Sequence, residues 1–124
     1  MTLRRLSMLQ WVGLLLGAGV WAAQHVVGFG ITQAECGAGG RGWGISHDVW
    51  QAALMGAAAA FVVSAEAAAI GVVLGTRDTT YESEPPPSRI RFLAIAAVAA
   101  NLIFLAIIIL DGLATIFNTP CRQA

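Results

Sequence analysis

The sequence predicts an all-α membrane protein, a bundle of three transmembrane helices with the N-terminus in the cytoplasm and the C-terminus on the outer side. Three observations carry this. Apolar residues make up 57% of the 124 residues and charged ones only 11%, where a soluble domain carries roughly 25%. Mean hydropathy is +0.72. The apolar residues also gather into three long stretches, each long enough for the ~20 residues that cross a ~30 Å hydrocarbon core.

The first stretch runs from about residue 8 to 31, behind Arg4 and Arg5, and contains no Asp, Glu, Lys or Arg. A signal peptide is the competing reading, with Val20-Trp21-Ala22 as a weak cleavage site. The apolar run continues to Ile31, longer than a typical signal core, and favours a membrane helix. The second stretch covers about 49–74, with Ser46 placed as its N-cap and Glu66 as its interior ionisable residue. The third covers about 92–117, contains Asn101 and Asp111, and is closed by Pro120. One membrane domain over 1–124 accounts for the chain.

Two connections separate the helices. Residues 32–48 are glycine-rich and hold Cys36, Arg41, Trp43 and His47. Residues 75–91 hold Glu82, Glu84 and Pro85-Pro86-Pro87, and read as an extended, polyproline-like linker. All seven basic residues are arginines, against seven acidic residues. Arg4, Arg5, Arg77, Arg89 and Arg91 fall on one side and Arg41 and Arg122 on the other, which places the first group in the cytoplasm. No basic stripe is present, so nucleic acid is not an expected partner.

Cys36 follows the first helix and Cys121 the third. Both fall on the outer side, which in a bacterium is oxidising, and this favours one disulfide between them. A copper or thiol-exchange site using His25 or His47 is the alternative; the long Cys–Cys separation and the lack of a CxxC weigh against it.

Polar groups inside a membrane face the bundle interior and find partners. Counted from the helix ends, Glu66 and Asn101 share one depth and His25 and Asp111 another, so each is expected as an interhelical pair. Trp21 precedes His25 by four residues and shares its face. Structural packing, a proton relay or ligand site, and contact with a partner subunit are the readings open for these residues. Gly13 and Gly17 form a GxxxG, and Ala52, Gly56, Ala60, Ser64 and Ala68 line one face of the second helix; such ridges permit close helix approach. His25 and His47, with Met55, raise haem ligation as a further reading. No nucleophile with a positioned base, phosphate loop or metal-ligand cluster is visible, so no catalytic or metal site is expected.

Trp21-Ala22-Ala23-Gln24-His25 followed by Cys36, then Arg91-Phe92-Leu93-Ala94, then Pro120-Cys121, span the chain. In this arrangement the sequence resembles small three-helix membrane proteins associated with bacterial cytochrome c oxidases of the caa3 type. The resemblance implies a non-catalytic accessory subunit or assembly factor in the bacterial inner membrane. It would have no cofactor of its own, and its partners would be the larger subunits of a respiratory complex and the lipid bilayer. Two alternatives stand beside it: a haem-b-binding membrane anchor using His25 and His47, and a small homo-oligomeric transporter using Glu66 and His25.

Overall fold

The computed structural model describes residues 2–37, 44–80, 82–118 and 121. Arg41, Trp43, Pro120 and Arg122 lie outside them. The described chain forms three helices: α1 (Leu3–Cys36), α2 (His47–Gly75) and α3 (Pro87–Phe117). All three are long and apolar enough to cross a membrane.

Each helix is longer than its apolar stretch. Hydropathy marks where a helix meets hydrocarbon, whereas backbone hydrogen bonding continues until something stops it. α1 starts at Leu3 because Thr2 caps it: the Thr2 hydroxyl accepts from the Arg5 amide at 3.4 Å. α2 starts at His47, one residue after the expected cap Ser46. Asp48 in its first turn complements the helix dipole. α3 starts at Pro87, five residues before the expected boundary. Proline at the first helical position needs no amide hydrogen and arrives with a helical φ. Pro86 sits at φ −90°, ψ −15°, which is helical and not the polyproline conformation expected of this linker. The proline run therefore initiates the helix that it was expected to delay.

The helices run up, down and up, and each packs against the other two. α1 and α3 are thus parallel, and their final turns reach the same end. There Cys36 and Cys121 form a disulfide, with their Cα atoms 5.3 Å apart. At the opposite end Arg91 of α3 donates to the Thr76 carbonyl at 2.7 Å. That carbonyl is one of those a helix C-terminus leaves without an internal partner, so α3 caps α2.

The interior is built from small side chains. Ala58, Ala65, Ala69, Ala94 and Ala97 are buried, with Gly13 and Gly17 between them. Larger residues close the two ends: Leu6, Val72 and Ile90 near Arg91, and Val62 and Ile108 near Trp21 and Met55. The exterior carries the bulk, with Leu15, Val26, Phe29, Leu110 and Phe117 all exposed. Small inside and large outside reverses the water-soluble pattern and fits a bilayer, where close backbone approach drives association and lipid covers the large side chains.

Candidate functional site

The polar residues fall into two levels. In the middle of the bundle Asn101 is 1% exposed. Its amide nitrogen donates to the Gly13 carbonyl at 2.9 Å. This corrects the expected Glu66–Asn101 pair. The two residues share a depth, but Gly13 and Gly17 have no side chain, so the α1 backbone comes within reach of Asn101 first. A Cβ on Gly17 would run into the Asn101 carboxamide oxygen. Glu66 is half-buried on α2, and its Oε2 is shielded from solvent without a hydrogen-bond partner among the described residues.

The second level lies towards the disulfide end. His25 and Asp111 meet there as expected, with Nδ1 3.3 Å from Oδ2. The Trp21 ring packs against the His25 ring at 5.6 Å between centroids and against Phe104 at 5.8 Å. These contacts fix the imidazole from behind while leaving its other edge open.

That edge faces a cleft of about 330 Å³ to which all three helices contribute. α1 supplies Gln24, His25, Thr32 and the close backbone of Gly28; α2 supplies His47 and Gln51; α3 supplies Asp111 and Thr115. The far wall is a network between α1 and α2. His47 Nε2 lies 3.0 Å from the Thr32 hydroxyl and 3.3 Å from the Gln51 amide nitrogen. Gln51 also donates to the Gly28 carbonyl at 3.1 Å. A Cβ on Gly28 would stand 3.1 Å from Gln51 Oε1, so the glycine makes room for this contact.

Thr32 and Gln51 complete a site of which sequence counting found the histidines, Asp111 and the neighbouring Gln24. The available signal was spacing. His47 and Gln51 are four apart, as are Gly28 and Thr32, so each couple shares a helix face.

The two histidines line one cleft, as haem ligation would require, but only His25 keeps a ring edge open. His47 presents Nε2 to Thr32 and Gln51. Its Nδ1 is shielded, 3.6 Å from Asp48 Oδ1 and beyond hydrogen-bond reach. Ligation by His47 through Nε2 would break the network joining α1 to α2. Met55 packs in the apolar cluster with Val62 and Ile108, and a Cβ on Gly112 would strike it. Among the described residues, three or more His, Cys, Asp or Glu side chains nowhere converge in a metal-binding group.

The fold and site together define a stapled bundle of three membrane-spanning-capable helices with a polar cleft at its disulfide end. No protein-family model matches the chain, and neither do any curated protein or solved structure.

Proposed function

We propose that the chain is a non-catalytic accessory subunit or assembly factor of a bacterial caa3-type cytochrome c oxidase. In this reading it lies in the inner membrane with the Arg5 and Arg91 end in the cytoplasm. The sequence motifs around His25, Arg91 and Cys121 suggest the partner, and the distribution of arginines supports the orientation.

The observation that carries the docking role is the outer face of α2. Ala52, Gly56, Ala60 and Ser64 lie along it, and a Cβ at Gly56 would meet nothing within 4 Å. The bundle consumes the GxxxG of α1 internally, with Gly13 against Ala69 and Gly17 against Asn101, but leaves this second ridge open. Small-residue ridges are where membrane helices approach closely, so a larger subunit has a flat face to pack on.

The test is affinity purification of the tagged chain from native membranes in mild detergent, with mass spectrometry of what accompanies it. A many-helix haem subunit is expected, and its yield should fall in Gly56→Leu but not in Leu102→Ala on the lipid side of α3. Recovery of the chain only with itself would overturn the proposal and favour a homo-oligomer. A Soret band carried by the isolated chain and lost in His25→Ala would overturn it in favour of a haem anchor. An alkaline phosphatase fused after Cys121 should be active; an inactive fusion would reverse the orientation.

A further inference from the structure

The cleft beside His25 brings together a part-exposed carboxylate and a buried carboxamide oxygen. Gln24 is 6% exposed, lines the cleft, and its Oε1 is buried without a partner among the described residues. A buried polar atom left unpaired is costly and calls for a ligand or water. His25 directs Nδ1 at Asp111. Asp111 has a second carboxylate oxygen, and its side chain is one-third exposed. No lysine or arginine lines the cleft among the described residues, which disfavours an anion as the natural occupant. Asp111 calls for a cation and the Gln24 oxygen for an N–H donor, and a group that is both answers the two together.

Depth narrows the source. Leu6 and Ile90 pack together at the arginine end, which puts Arg5 and Arg91 at one level. His25 and Asp111 each lie about 20 residues further on, or about 30 Å along a helix, the thickness of the hydrocarbon core. With the arginines at one interface, the cleft stands at head-group height in the opposite leaflet. Phe29 on its rim is exposed and continues the lipid-facing surface.

We propose that this cleft binds the primary ammonium group of an aminophospholipid, held by Asp111 and Gln24 while the acyl chains stay in the bilayer. A choline head group carries the same charge but no N–H, so it cannot satisfy Gln24. This inference is independent of the oxidase assignment.

The test uses the full-length oxidised chain in mild detergent, mixed with equal amounts of phosphatidylethanolamine and phosphatidylcholine of identical acyl chains. Bound lipid is read by native mass spectrometry. Loss of hydrogen bonds to a charged group makes the expected preference for phosphatidylethanolamine about tenfold. It should fall to near parity in Asp111→Asn and in Gln24→Met. Equal retention of both lipids by the unaltered chain overturns the proposal without any variant. So does a preference that survives in both variants. A parallel arm offers soluble phosphoethanolamine and phosphocholine. Selective binding of the soluble amine without retention of the lipid would uphold the ammonium site and overturn its lipid source.

Discussion

Gly13→Ala isolates the contact on which the α1–α2 interface rests. An added Cβ would lie 3.0 Å from the Ala69 Cβ and 3.2 Å from the Ala69 Cα and N. Carbon atoms rest at about 3.5–4.0 Å, and two of these three neighbours are backbone, so the helices must part. Overpacking of this kind costs about 1–3 kcal/mol. Parting also draws the Gly13 carbonyl away from Asn101, and an interhelical hydrogen bond in a membrane contributes about 0.6 kcal/mol on average, rising to about 1.7. Against this, alanine is the better helix former by about 0.5–1 kcal/mol. The net expectation is a loss of about 1–3 kcal/mol, most of it from the steric strain between α1 and α2.

Gly19→Ala is the matched control, because a Cβ there would meet nothing within 4 Å. It should be neutral or slightly stabilising. Both are measured as unfolding midpoints against SDS mole fraction in mixed micelles, with the disulfide intact throughout. Gly13→Ala proving as stable as Gly19→Ala would refute the close-approach argument. The double variant Gly13→Ala/Asn101→Ala should cost less than the sum of the singles, by about 0.5 kcal/mol or more for residues in contact.

Cys36→Ala should lower the unfolding midpoint, and reductant should do the same to the unaltered chain. For a separation of 85 residues the chain-entropy limit is about 4–5 kcal/mol, and helices that persist in detergent reduce it. Arg91→Ala should destabilise by about 1 kcal/mol and speed amide exchange in the last turn of α2, since the Thr76 carbonyl loses its donor. Its half-exposed position keeps the effect at that level, and Arg91→Lys should recover part of it. Gln51→Leu should cost about 1 kcal/mol and raise exchange around Gly28–Thr32 while leaving the arginine end unchanged, because its bonds reach only the cleft wall.

The levels of the polar residues were legible in the sequence; the directions they face were not. Counting along helices fixes height, and height was enough for His25 and Asp111. Each is the ionisable residue of its helix at that level, and Trp21 supports the imidazole from the same face. It was not enough for Asn101. Azimuth decides its partner, and azimuth follows from where the glycines let two backbones meet. The same limit hid the Thr32–His47–Gln51 network, which requires α1 and α2 to be rotated face to face. The helix starts were hidden for a different reason: Thr2 and Pro87 act through backbone geometry, which hydropathy does not register. The cysteine pairing was accessible because chain order puts both residues at one end whatever the rotations are.

That pairing also sets an order of events. Cys36 closes the first helix and Cys121 follows the last, so the bond between them can form only after all three helices have been threaded and gathered. During biogenesis Cys36 must wait as a thiol while the second and third helices are inserted. An oxidised chain is therefore one whose three helices have already been gathered, and a cell deprived of its thiol oxidant would accumulate assembled but unsealed bundles.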